Sequence, residues 1–203
     1  MRWTPTEWWQ GDDVIIIGGG SSLRGFDWSL LHSKRTIGCN DAYQLGEQVC
    51  SVVVFGDMKW YIGHHDYIKY FQNPIFTNQP SLHVGSPDWI FTMARKKAGL
   101  HHEALGWGGN TGCVAVNLAL ILGAKRVFLL GFDMQVGDDE KHNWHDDNKG
   151  NPDAAAYKRF TSGFEALAKD LETEFPGKEI INLGPESALD MFPSLDLNTY
   201  LGD

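Results

Sequence analysis

The sequence predicts an α/β fold: a single Rossmann-like domain with a mostly parallel sheet and a lid-like insertion over residues 59–109. Three observations carry this reading. Short apolar, β-branched runs alternate along the chain with helical stretches. Those runs are apolar without alternation, as suits strands covered on both faces of a parallel sheet. Several of them stop at a glycine, asparagine or aspartate, which collects polar groups at the carboxyl edge of the sheet.

The elements follow in order. Residues 13–17 (DVIII) form the first strand and run into Gly18-Gly19-Gly20-Ser21-Ser22-Leu23, with a short helical stretch to about Leu31. Residues 35–39 are a second strand ending at Asn40-Asp41, and residues 49–55 a third ending at Asp57. Residues 74–77 are a weak fourth. The segment 59–109, irregular and rich in His, Trp and Gly, is expected to lie as a lid over one end of the sheet. His64, His65, His101 and His102 belong to it without an assigned role. Residues 111–122 form an almost wholly apolar helix closed by Gly123. Residues 126–130 (RVFLL) are a fifth strand, ending at Asp133, and residues 179–183 a sixth. Between them, residues 153–175 carry Tyr157, Phe160, Phe164, Leu167, Leu171 and Phe175 at helical spacing, which reads as a core-facing stripe. Asn151 is the expected N-cap of that helix, Pro152 its first residue and Pro176-Gly177 its stop.

Composition narrows the function. The 203 residues are enough for one domain with its own core. With 26 acidic against 17 basic residues and a formal net charge of −9, nucleic acid is not the expected partner. Three separated cysteines make no disulfide framework, no apolar run is long enough to span a membrane, and the amino terminus lacks the apolar segment of a signal peptide. A cytoplasmic location is the expectation. A homo-oligomer is compatible with the sequence.

The candidate site residues lie at the strand ends. Gly18, Gly19, Gly20, Ser21 and Ser22 make a loop whose backbone could approach a phosphate closely, with two hydroxyl donors and a left-handed backbone expected at Gly19. The loop is neither the dinucleotide fingerprint nor a P-loop, because Leu23 stands where a third glycine would fall and no Lys-Ser/Thr follows. Asn40, near where a ribose-reading residue would sit, joins it to suggest nucleotide binding. Asn110, Thr111 and Gly112 open the apolar helix as a second donor-rich turn. The loop containing His142 and His145 suits a general base, a divalent ion or a merely solvated stretch.

The order VIIIGGGSSL, IGCN, VVVFGD, GNTGCVAVNLALILGAKRVFLLGFD and IINLGPES, over about residues 13–187, resembles the bacterial sialyltransferases of glycosyltransferase family 42. It also resembles the related domain family of archaeal-type 6-hydroxymethylpterin diphosphokinases. The first resemblance implies a transferase taking its sugar from a CMP-sugar-like nucleotide-sugar. Gly18 to Ser22, Asn40, Asp57, Asn110, Thr111 and Gly112 would hold the nucleotide, and His145 would be the catalytic base, with His142 beside it. The chain departs from that family at Gly108, where an arginine is expected, at Asp57, in place of an asparagine, and after Asp133, where leaving-group tyrosines are missing. The second resemblance implies a Mg²⁺-dependent phosphoryl or diphosphoryl transferase with Asp57 and Asp133 as metal ligands. A third reading is a catalytically inactive nucleotide-binding or interaction protein that keeps the fold.

Overall fold

A computed structural model describes residues 3–83, 85–135, 143–145, 154–184 and 187–202. Its centre is a seven-stranded sheet. Five strands run outward in chain order from the middle: β1 (Asp13–Ile17), β2 (Arg35–Cys39), β3 (Val52–Phe55), β4 (Ile75–Thr77) and β5 (Ile90–Thr92). On the other side of β1 lie β8 (Arg126–Leu130) and β9 (Glu179–Asn182), and every pairing in the sheet is parallel. A separate parallel pair joins β6 (Ala94–Lys96) to β7 (Ala104–Gly106). The helices are α1 (Met58–Ile68), α2 (Thr111–Ile121), α3 (Ala154–Glu174) and α4 (Leu197–Gly202).

The unbroken apolar runs are explained by what covers them. Successive residues of one strand fall into two cores. Val14, Ile16, Ile37, Val52 and Val54 pack with α2 and α3 on one face. Ile15, Ile17, Val53, Phe55 and Ile75 pack on the other with α4, α1 and the short 3-10 turns after β1 and β2. Helix α2 is buried at every one of its eleven residues, so its sequence needs no polar face. In α3, Phe164 and Leu167 are fully buried whereas Tyr157, Phe160 and Leu171 are half-buried, so the aromatic stripe leaves the core toward the helix's amino-terminal end.

Some boundaries differ from expectation. The third strand starts at Val52 rather than residue 49, because the amides of Val49 and Cys50 both donate to the Gly46 carbonyl (3.2 and 3.0 Å) and close a turn. Both side chains are nonetheless buried. The sixth expected strand ends at Asn182, and Asn151 and Pro152 lie outside the described residues. The segment 59–109 divides in two. Most of helix α1 lies in it and flanks the carboxyl edge of the sheet, while β4 and β5 extend the main sheet instead of covering it.

Strand order reverses at β1 and β8: the chain leaves β1 toward β2 and leaves β8 toward β9 on the opposite side. Ligands of open parallel sheets bind outside such a switch point, at the carboxyl ends of the strands. Among the described residues no helix is long and apolar enough to cross a membrane.

Candidate functional site

A cleft of about 770 Å³ opens at that edge. Gly18, Gly19 and Gly20 form its floor beyond β1, with Cys39, Asn40 and Asp41 beyond β2, Asp57 beyond β3, and Phe132, Asp133 and Met134 beyond β8. Asn110, Thr111 and Gly112 enter from the start of α2, and His145 from the stretch 143–145. The structure therefore brings together ten residues singled out from sequence: Gly18, Gly19, Gly20, Asn40, Asp57, Asn110, Thr111, Gly112, Asp133 and His145. Ser21 and Ser22 do not line the cleft, and His142 lies outside the described residues.

The glycine loop is shaped by close packing. A β-carbon on Gly18 would stand 2.5 Å from the Gly131 carbonyl oxygen, and one on Gly20 2.5 Å from Asp133 Oδ1. No left-handed backbone occurs at Gly18, Gly19 or Gly20, contrary to the expectation for Gly19; left-handed glycines that line the cleft are Gly109, with φ +75°, and Gly131, with φ +73°. Asp133 takes the amide of Ser22 at 2.9 Å and its hydroxyl at 2.6 Å. Those are two of the donors expected to face an anion, and here a carboxylate of the chain holds them.

Helix α2 begins the same way. Asn110 caps it by accepting the Gly112 amide at 2.6 Å, and Thr111 Oγ1 donates to Asn40 Oδ1 at 3.3 Å. That bond ties the end of β2 to the start of α2 across the cleft. Asn40 itself sits at φ 51°, a left-handed conformation that asparagine tolerates better than most residues.

Asp57 caps α1: its Oδ1 accepts the amides of Lys59 at 2.7 Å and Trp60 at 3.2 Å. Behind it lies Arg95, which sequence reasoning missed. Its guanidinium donates to the Gly56 carbonyl and to Asn78 (O at 3.1 Å, Oδ1 at 3.0 Å) and lies 4.3 Å from the centre of the Trp107 ring. Burial lowers the Arg95 pKa, and the Asp57 charge opposes that shift. Asp57 and Asp133 each hold backbone amides, and among the described residues no group of three or more His, Cys, Asp or Glu is arranged to hold a metal ion.

Gly108, where the sequence resemblance implied an arginine, has φ +54°, and a β-carbon there would stand 2.9 Å from Cys113 Sγ and 3.1 Å from the Gly163 backbone. Helix α3 is packed against it, which leaves no room for a long side chain. Cys39 faces the cleft, yet its thiol pKa is raised, chiefly by burial.

Sequence reasoning also missed the wall opposite the glycines. Lys59, Trp60 and His64 of α1 line the cleft, as do Tyr157 and Phe160, which the sequence assigns to the core. The Trp60–His64 spacing of four on a helix opened by Asp57 was the available signal for the first pair. His145 is held in the cleft by its neighbours, which rest on the glycine loop. The Trp144 amide donates to Gly19 O at 3.0 Å and its indole to Gly18 O at 2.9 Å, while Arg24 donates to Asn143 O at 2.8 Å. His145 Nε2 lies 3.7 Å from Asp41 Oδ2.

No family model and no curated protein matches this chain. Two solved structures are similar in fold. One is the sialyltransferase CstII from Campylobacter jejuni in complex with a substrate analogue, cytidine-5'-monophosphate. It has a TM-score of 0.58 and 16% identity, with 93% of this chain and 86% of that one covered. The other is the MAf glycosyltransferase from Magnetospirillum magneticum AMB-1, with a TM-score of 0.66 and 13% identity over 96% of this chain. The chain spans only 35% of that protein's length. At these identities the likeness establishes one thing, that this chain has the α/β fold with a mostly parallel sheet that both glycosyltransferases share.

Proposed function

We propose that this chain is a glycosyltransferase that takes its sugar from a nucleotide-sugar, CMP-sugar-like in kind. One observation carries the reading: the glycine loop, Asn40, the amino-terminal turn of α2 and His145 all face one 770 Å³ cleft at the switch point of the sheet. That volume is within the range of small-molecule sites and suits a nucleotide with an attached sugar. The sialyltransferase neighbour, which shares the fold, was solved with cytidine-5'-monophosphate.

In this reading the donor lies across Gly18–Gly20, with Asn40, Asp57, Asn110, Thr111 and Gly112 around the nucleotide. His145 removes the proton of the acceptor hydroxyl as its oxygen bonds to the anomeric carbon. The bond from that carbon to the phosphate oxygen breaks, and the nucleotide leaves with the electron pair. Among the described residues lining the cleft, Asp41, Asp57 and Asp133 stand against the ammonium of Lys59, a balance that a cation beside the phosphates would improve. That favours the Mg²⁺-dependent phosphoryl-transfer reading as the alternative.

The test is a panel of nucleotides and nucleotide-sugars, with and without Mg²⁺, followed by titration and by release of free nucleotide. The reading expects metal-free binding of a cytidine nucleotide and turnover of its sugar conjugate. It also expects His145→Ala to lower kcat by about 10²–10⁴-fold with donor affinity retained. Damage from His142→Ala with His145→Ala silent would move the base to His142. ATP binding only with Mg²⁺ would favour the phosphoryl transferase, and binding without turnover the inactive nucleotide-binding protein.

A further inference from the structure

The cleft contains one carboxylate with more partners than any helix cap requires. Asp41, just past β2 and mostly buried, lies where three elements meet. Its Oδ1 accepts the indole N–H of Trp60 at 3.3 Å and the amide of Gln44 at 3.4 Å, and faces His64 Nε2 at 3.4 Å. Its Oδ2 faces His145 Nε2 at 3.7 Å. One carboxylate thus stands between two imidazoles, one from α1 and one from the stretch after β8.

The hydrogens of this group follow from one fact: an ionised carboxylate only accepts. A ring nitrogen lone pair turned toward it is repelled, and an N–H is attracted. His64 therefore carries its proton on Nε2, which leaves Nδ1 to accept from the Tyr43 hydroxyl at 3.2 Å. The His64 ring is held by stacking on Trp60, with centroids 4.5 Å apart and planes within 11°. By the same rule a neutral His145, with Nε2 3.7 Å from Asp41 Oδ2, would carry its proton on Nε2. Its Nδ1 would then be a bare lone pair, and that atom is buried with no hydrogen-bond partner among the described residues. Buried polar atoms are seldom left unpaired, and an exception at a site calls for a ligand or a catalytic use.

We propose that Asp41 is a positioning residue that fixes His145 in the Nε2–H tautomer, so that Nδ1 is the basic atom of the ring. The proposal rests on the glycosyltransferase reading for its purpose, and on the geometry alone for the tautomer. His64 is the second partner of the same carboxylate. It steadies Asp41 from the α1 side and, with Trp60, sets the distance between that helix and His145.

The experiment labels the histidines of the full chain with ¹⁵N and reads their tautomers by two-bond ¹H–¹⁵N correlation. Spectra are taken on ligand-free protein at about pH 8.5, roughly two units above the ordinary imidazole value. His145→Gln and His64→Gln assign the signals. The expected result is His145 wholly in the Nε2–H form. In Asp41→Asn it becomes a mixture, because an amide can accept from Nε2–H or donate to a bare Nε2. The same variant should lower kcat by about 10-fold or more while donor KM stays within about threefold, and Asp41→Glu should recover part of the loss. An Nδ1–H tautomer in the wild type, or a spectrum unchanged by Asp41→Asn, overturns the proposal. The spectra need no turnover, so the two readings fail separately. An Asp41-dependent tautomer in a chain that transfers no sugar supports the positioning role and removes the function. An active chain whose His145 ignores Asp41 does the reverse.

Discussion

Replacing Gly20 by alanine should damage the fold, whereas the same change at Gly19 should damage the cleft. The new β-carbon at position 20 would lie 2.5–2.6 Å from both carboxylate oxygens and Cγ of Asp133. Asp133 cannot simply swing aside, because it holds the amide and the hydroxyl of Ser22. Displacing it forfeits both bonds, about 1 kcal/mol each at this partly exposed place, and crowding adds about 1 kcal/mol or more. The total is about 3 kcal/mol, which in a chain of this length lowers Tm by about 6–12 °C. At position 19 the nearest atom is Asn143 Oδ1 at 3.0 Å, the end of a side chain, and the backbone φ is not left-handed. Gly19→Ala should leave stability within about 0.5 kcal/mol, or Tm within about 2 °C. The larger Gly19→Val should weaken nucleotide binding far more than it lowers stability. Denaturant unfolding at constant m, with Tm read alongside, measures the first pair, and titration measures the third. A stable Gly20→Ala protein, or a Gly19→Ala protein as unstable as Gly20→Ala, would refute the packing argument.

Three further changes test separate parts of the account. Gly108→Arg should prevent folding, since a left-handed backbone and the close backbone of Gly163 forbid the side chain; soluble yield and far-ultraviolet dichroism report it, and a folded variant would show that α3 can move. Asp57→Ala should cost about 1 kcal/mol by uncapping α1, while Asp57→Asn should cost only a few tenths, which paired melting curves resolve. The Tyr200 pKa is raised to about 12 by burial first and the Asp13 charge second, against Arg126. An unfolded tyrosine ionises near pH 10, so between about pH 10 and 12 the unfolded state has lost a proton that the native state keeps. Stability contributed below pH 10 is therefore lost as pH rises toward 12, and Tyr200→Phe should flatten that part of the melting profile.

The fold was legible where one element carries its own signal. Residues 13–17, 35–39 and 126–130 are β-branched or apolar runs long enough to announce doubly covered strands, and β1, β2 and β8 match them. Strands β5, β6 and β7 are three residues each and owe their state to pairing partners, which local pattern cannot display. The glycine loop, Asn40 and the Thr111 turn were legible because polar residues ending apolar runs collect at one edge. Asp133 was not legible as the partner of Ser22, since 111 residues separate them. Nor was the cluster around Asp41, assembled from three distant segments. Tyr157 and Phe160 continue the spacing of buried Phe164 and Leu167, so periodicity alone could not show where α3 passes from core to cleft.

The central claim is that the cleft beyond β1 and β8 holds a nucleotide-sugar. Calorimetric titration of the full chain with a CMP-sugar, in the presence and absence of Mg²⁺, tests it most directly when run in parallel on wild type and Gly19→Val. The account predicts metal-independent binding to the wild type and its loss in Gly19→Val, which stays folded with a far smaller loss of stability than of binding. Absence of binding to the wild type, or equal affinity in the two proteins, would contradict it.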